Sequence, residues 1–486
     1  MKHYIIITFV LCFNLTGQAQ IFKTINITTQ GSLSTALTSS ELNSITDLTI
    51  TGNINALDFV TMRNNMPLLV NLDLAATNIK TYSGIDGTNG SNTTIYNSNT
   101  IPDLAFMGRN LKSIILPTSI TSIGFGAFSY CGYLTTVTLP VGLIDIHDGA
   151  FAGCSALSNI EIPITVKRIY TQAFENCINL KEIRIPSSVL FIMEKSFLGC
   201  RAPVLVDESN PNFTSSDSVL YDKNKTRLLC SSVMKKGNWS IPSSVTTIDS
   251  YAFYCCNLLT SITIPNSVTR IKECTFAFCT ELSSVSILNT ITSIGNSAFS
   301  FCSKLTSFSI PTSLNFIDIG TFSYSGLRTI SIPSTITSIE TNAFNNCNDL
   351  TTIYCYLSNP VWISSSAFSN STKSNCILYI PTGSKQAYKN HFEWRNFNNI
   401  VEMTTDIKNI TNQNLKIYPS PTSSSFQISG INGIGNILLL DTNGKLIFNK
   451  RVVEDEKILI ETLPKGIYIV KIVSAEGLVE RKIVKN

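Results

Sequence analysis

Histidine is scarce in this 486-residue chain: His3, His147 and His391 are the only three. That scarcity leaves little for imidazole chemistry, whether zinc ligation or a Ser-His-Asp relay. Charge is also sparse, at 14% of residues against roughly 25% in an average soluble domain. Thirty-six basic and 32 acidic side chains give a net +4, with no basic footprint for nucleic acid. No G-x-S-x-G, H-E-x-x-H, paired C-x-x-C, P-loop or EF-hand loop occurs. No enzyme activity and no cofactor are therefore expected, and no metal site. At 43% hydrophobic residues, disorder is excluded.

What is present begins with an address. Lys2 is followed by Tyr4 to Phe13, apolar except for Thr8, and Gly17-Gln18-Ala19 has the small-x-small form of a signal-peptidase site. Cleavage after Ala19 is expected, making 1–19 a signal peptide. Ten such residues are too short for a bilayer, which needs about twenty, and no transmembrane segment is expected elsewhere.

The 14 cysteines are organised by period. Cys131, Cys154, Cys177 and Cys200 are 23 residues apart, as are Cys256, Cys279 and Cys302, and Cys347 takes the same place in a later copy. A fixed period marks a repeat position. The template reads Leu111-x-x-Ile114-x-Leu116-Pro117, then Ile120-x-x-Ile123, then Ala127-Phe128-x-x-Cys131. Copies start at Leu134, Leu157 and Leu180, and after an interruption at Lys236, Leu259, Leu282, Leu305, Leu327 and Leu350. Each copy predicts one coil of a solenoid. A short strand buries its fourth and sixth residues, proline ends the ladder, and Ala-Phe returns the chain along the other side. The cysteines would then stack with parallel Cβ vectors, giving buried free thiols that act as small hydrophobes. A serine in their place would bury a hydroxyl with no partner. Pairing of Cys230, Cys255, Cys274, Cys355 and Cys376 is not legible.

This pattern resembles the BspA-like leucine-rich repeat of bacterial surface proteins, over Leu111 to about Met403. The resemblance implies about ten repeats, a strand-lined concave face, little helix, and a role in adhesion or surface recognition with no catalytic residues to carry over. Residues 20–110 read as an N-terminal cap with first irregular repeats. Within them 44–50 and 69–74 are strand-like, 57–66 is a short helix and 81–100 is a surface loop. The period breaks at 201–237, which reads as a hairpin growing out of the solenoid. A C-terminal cap at 375–403 offers Leu378-Tyr379-Ile380-Pro381 as last strand and Tyr388, Trp394 and Phe397 to cover the end.

After a polar linker at 404–412 the composition changes. Residues 413–486 hold 17 charges in 74 positions and no Cys or His. Short apolar runs alternating with turns predict a small antiparallel β-sandwich. Four motifs resemble the type A C-terminal sorting domain of the type IX secretion system: Tyr418-Pro419-Ser420-Pro421, Asp441-x-x-Gly444-Lys445, Leu463-Pro464-x-Gly466-x-Tyr468, and the basic Arg481 to Lys485. The resemblance implies the type IX machinery as a partner, outer-membrane passage, and release or attachment at the cell surface.

The third and fifth residues of each repeat strand face solvent. They are mostly hydroxyls: Thr136/Thr138, Ser261/Thr263, Ser284/Ser286, Ser307/Ser309 and Thr329/Ser331. Such rows suit solvent-facing strands. They also suit a glycan or protein ligand, or an ordered water layer of the ice-binding kind. Two rungs differ. The copy at Leu157 presents Glu161, and that at Leu180 presents Glu182 and Arg184 with Lys181 beside them. With the 201–237 insert as a wall, these four residues are the expected contact site for an extracellular protein or glycan.

Overall fold

The computed structural model describes residues 20–90, 94–403, 416–419, 422–429, 435–441, 446–452, 455–461, 463–474 and 477–486. The expected signal peptide and the linker lie outside the described residues, as do Pro421, Gly444 and Lys445 of the sorting motifs. Two compact units divide at Val401/Glu402.

The first unit is a β-solenoid of about sixteen turns. Phe22–Ile27, Asp47–Ile54, Asn71–Ile79, Ser113–Ile115 and Thr136–Thr138 form a parallel sheet in chain order. Later rungs continue the series, from Ile183–Ile185 to Asn399–Glu402. A second series of two-residue parallel strands lines the other side of the core, among them Thr100–Ile101, Ser122–Ile123, Asp145–Ile146, Arg168–Ile169 and Phe191–Ile192. Thr136–Thr138 shows the expected alternation, with Val137 buried between two exposed threonines.

The three long strands within residues 20–110 are rungs of the same sheet as the regular coils, which raises the count above ten. The helix Ala56–Asn64 fills the return path that Ala-Phe fills later. Asp58 fixes this first coil, accepting backbone N–H groups of Gly31 at 2.7 Å, Leu33 at 2.9 Å and Asn55 at 2.8 Å. Gly52, at φ +91°, lies against the Ile27 carbonyl, 2.3 Å from where a Cβ would sit, so no larger residue fits there. The stretch read as a loop contains a small hairpin, Tyr82–Gly84 with Thr94–Tyr96.

Each later coil turns on two left-handed residues four apart, such as Gly126 with Tyr130, Gln172 with Asn176, and Cys274 with Phe278. Between them the Ala-Phe pair points inward. Phe106, Phe128, Phe151, Phe174 and Phe197 stack coil on coil, with ring centroids 5.5, 5.3, 5.5 and 5.8 Å apart. Beside this stack runs the cysteine ladder, and all thirteen described cysteines are free thiols. The ladder is more than apolar filling. The Sγ of Cys154 donates to the carbonyl of Phe128 at 3.1 Å, that of Cys177 to Phe151 at 3.2 Å, and that of Cys302 to Phe276 at 3.2 Å. A hydroxyl placed there would therefore find an acceptor in the preceding coil, contrary to the sequence expectation. Ser325 holds one such position naturally, 3.3 Å from the Cys347 sulfur.

The insert is not a free hairpin. Val204–Val206 pairs in parallel with Ile183–Ile185 as the next rung. Phe213–Ser216, Val219–Asp222 and Arg227–Ser231 form an antiparallel meander whose last strand pairs in parallel with Thr247–Ile248. Phe213, Leu220, Tyr221 and Leu228 are buried, so the segment joins two stretches of core. Buried Asp249 holds Arg227 at 2.8 Å and Lys272 at 3.1 Å, and Lys272 also reaches Glu194 at 3.2 Å across the interruption. At the far end Trp394, Tyr388 and Phe397 are buried as expected, but Ile377–Ile380 is followed by one further strand, Asn399–Glu402.

The second unit packs a three-stranded antiparallel sheet (Lys416–Tyr418, Ser425–Ser429, Ile458–Leu459) on a four-stranded one (Gly435–Asp441, Leu446–Val452, Gly466–Ser474, Gly477–Lys485). Phe426, Ile428, Ile437, Leu439, Val470, Ile472 and Ile483 share its core, the expected sandwich.

Candidate functional site

The four predicted contact residues lie exposed or half-buried along the long-strand side of the solenoid: Arg184 within Ile183–Ile185, Lys181 and Glu182 just before it, and Glu161 in the preceding coil. Ile183 and Ile185 are buried, which turns Glu182 and Arg184 outward on the same face. Arg184 chelates Glu182, Nε to Oε1 at 2.6 Å and Nη2 to Oε2 at 3.1 Å. Exposed pairs of this kind contribute well under ~1 kcal/mol. Glu161 is exposed on the preceding rung, and Lys181 is exposed beside Glu182. Among the described residues neither forms an ion pair. The register sets Arg184 opposite Leu205 of the insert. Arg184, Ile162, Pro186, Leu205 and Asp207 line a shallow hollow of about 210 Å³. The insert thus extends the floor of the site rather than walling it, because its first strand is a rung and its meander turns to the other sheet.

The same face carries two features that repeat counting missed. In the first coils Asn71 donates to Asp47 at 2.8 Å and Ser113 donates to Asn71 at 2.7 Å, a polar ladder across three rungs. Near the other end Tyr354 and Tyr379 stack at 5.1 Å. Applying the two-residue alternation to every rung, including those without the proline signal, would have found both.

The thiols are not poised for nucleophilic work. Burial pushes Cys131, Cys200, Cys256 and Cys302 up to about 12 and Cys347 up to about 11. Cys255 and Cys274 are also raised, again chiefly by burial. His391 caps the last turns, its Nδ1 accepting the N–H groups of Glu393 at 3.2 Å and Trp394 at 3.4 Å. His147 lies stacked on Tyr170 at 4.7 Å. Among the described residues no cluster of His, Cys, Asp or Glu suits a metal ion, and no helix is long and apolar enough to cross a membrane.

In the second unit the sorting motifs meet through hydrogen bonds. Tyr468 donates its hydroxyl to the Pro464 carbonyl at 2.7 Å. Buried Lys485 donates to the carbonyls of Glu461, at 2.7 Å, and Leu463. Tyr418 donates to Asp455 at 2.7 Å. Gly466 opens the strand that carries Tyr468, and Asp441 closes the neighbouring strand Gly435–Asp441, in register with Tyr468. Part of the "basic end" is therefore internal: Lys485 ties the last strand to the Leu463-Pro464 turn, while Arg481 and Lys482 are exposed.

A profile of the "BspA type Leucine rich repeat region" matches six copies over residues 89–215, 231–351 and 317–443, and one of the "Secretion system C-terminal sorting domain" matches 416–486. The chain belongs to the BspA-type leucine-rich repeat proteins and carries a type IX sorting tail, which makes it a secreted or cell-surface protein. The repeat profile runs past the structural boundary at Val401, since the second unit has no solenoid coil among its described residues. Among solved structures, the chain is similar to the pneumococcal vaccine antigen PcpA, at 20% identity and a TM-score of 0.51, covering 74% of this chain and 80% of that one. A leucine-rich repeat protein from Eubacterium ventriosum (22%, 0.49, covering 68% and 78%) and a leucine-rich cell surface protein from Faecalibacterium prausnitzii (22%, 0.46, covering 75% and 80%) are also similar. No curated protein matches the chain.

Proposed function

We propose that this chain is an exported recognition or adhesion protein without enzymatic activity. It binds an extracellular protein or glycan on the solvent face of its long-strand sheet, at Glu161, Lys181, Glu182, Arg184 and the adjoining Leu205–Asp207 rung. The observation that carries this reading is the placement of four charges on two neighbouring rungs beside a hollow, in a chain of so little charge. Their pairing adds too little stability to account for the placement. The hydroxyl rows favour this reading over a water-ordering one. Glu182, Arg184 and Leu205 interrupt them, and serine outnumbers threonine on the later rungs, so no regular lattice of threonines is available.

The sorting tail supplies the route: the type IX machinery takes the folded solenoid through the outer membrane. Deleting residues 413–486 should leave a folded solenoid that accumulates in the periplasm. Cell fractionation reads the result directly. Unchanged export of the truncated chain would refute the proposed route.

A further inference from the structure

We infer that the chain carries a second ligand site on its short-strand side, built to take a neutral sugar unit. The site stands independently of the one proposed above. It is a cleft of about 420 Å³ between the strand Thr94–Tyr96 and the strands Thr100–Ile101, Ser122–Ile123 and Asp145–Ile146. That volume lies in the range of about 300–1,000 Å³ usual for small-ligand sites.

Its floor is made by an omission. The position after the short strand carries His147, Tyr170 and Met193 in three successive coils, but Gly124 in the coil just before them. A Cβ on Gly124 would lie 2.5 Å from the Asp103 Oδ1 and 2.7 Å from the Ile101 carbonyl, so the missing side chain makes room for the Asp103 carboxylate. The Phe125 N–H donates to that Oδ1 at 2.7 Å, fixing the carboxylate while leaving it acceptor capacity toward the cleft. Next to it, Asp145 is held two-pronged by Arg168, through Nε and through Nη2 at 2.6 Å. One carboxylate is thus neutralised in place and the other is held by a neutral donor. Ser122 also lines the cleft, with its hydroxyl oxygen turned away from solvent and without a hydrogen-bond partner among the described residues. Phe125, 52% exposed, and Ile95, 67% exposed, form an apolar rim. His147 is stacked flat on Tyr170 at 4.7 Å, so its ring is oriented before any ligand arrives.

These groups match a pyranose. The sugar's C–H face lies on Phe125, and neighbouring hydroxyls donate to Asp103 from the ring edge. Strong preference for a cation is not expected, because Arg168 already compensates one of the two carboxylates.

The test uses residues 20–486, titrated calorimetrically with methyl glycosides of glucose, galactose, mannose and N-acetylglucosamine, and with lysine amide and arginine amide. At least one glycoside should saturate the protein. Asp103→Asn and Phe125→Ser should each weaken it tenfold or more, while Lys304→Ser, at an exposed residue of a later coil outside both sites, leaves it unchanged. Phe125→Ser alters an exposed side chain, and an unshifted melting curve verifies that each variant is folded. Absence of glycoside binding, binding unmoved in both single variants, or preference for the amides would overturn the assignment.

Discussion

The coils before the meander and those after it stack the same interior. Phe106 to Phe197 run through the first set. Phe253, Phe276, Phe299, Phe322, Phe344 and Phe368 run through the second, with centroids 5.2, 5.4, 5.8, 5.4 and 5.0 Å apart. Each set also has four ladder cysteines: Cys131, Cys154, Cys177 and Cys200, then Cys256, Cys279, Cys302 and Cys347. The surfaces differ. The first set presents Glu161, Lys181, Glu182 and Arg184 on one sheet and the Asp103 cleft on the other. The second presents serine and threonine rows, and at its turns Phe278, Phe301 and Tyr324 lie face to face at 4.3 Å. The interior is constrained because each ring and thiol must fit its copy one rung away. The exterior is under no such constraint, so what is individual to this protein lies outside.

If the two interiors are equivalent, alkali should dissolve both at once, and this is the largest effect expected. The ladder thiols titrate higher when folded than the usual value of about 8.5 for an unfolded cysteine. The folded state therefore holds more protons above that value, so stability is complete below about pH 8.5 and falls as pH rises toward 12. Each thiol that titrates higher in the folded state removes up to about 1.4 kcal/mol per pH unit over that range. Denaturant unfolding followed from pH 8 to 11 should show a steep, single loss. Two separated losses would break the equivalence.

Smaller effects sharpen it. Phe174→Ala and Phe299→Ala should each cost about 3–5 kcal/mol and agree within about 1 kcal/mol, since both rings sit between parallel neighbours. Chemical denaturation of the pair measures this. Smaller again, Cys177→Ser and Cys302→Ser should cost about 1 kcal/mol and no more than the alanine variants, because the Phe151 and Phe276 carbonyls accept the new hydroxyls. A serine cost well above the alanine cost would show that those carbonyls do not accept the hydroxyl.

The regular coils were legible because proline, Ala-Phe and cysteine recur at fixed offsets. The first coils were not, because the Ala56–Asn64 helix replaces the Ala-Phe turn and the spacing drifts from 23. Val204-Leu205-Val206 reads as a strand in any register; only its pairing with Ile183–Ile185 shows it to be a rung. The two left-handed positions per coil escaped notice because glycine shares them with Tyr130, Asn176, Lys195 and Phe278, so no single residue type marks them. The acceptor of each thiol lies about 26 residues earlier, as Phe128 does for Cys154, and belongs to no local motif. The charged rungs were legible from alternation alone. The Asp103 cleft was not, since it needs residues from three coils and a hairpin that reads as polar loop.

Where binding resides on the solenoid is open to one direct measurement. With the short-strand cleft silenced by Asp103→Asn in every sample, residues 20–486, their Lys181→Ser/Arg184→Ser variant and their Thr263→Ser/Thr329→Ser variant are screened in parallel on a glycan array and an extracellular-protein array. All three should fold alike, because exposed substitutions of this kind change stability by no more than about 0.5 kcal/mol. The account predicts that signals bound by the parent fall at least tenfold in the charge variant and persist in the hydroxyl variant. Equal loss in both variants, or a charge variant that binds as the parent does, would contradict it.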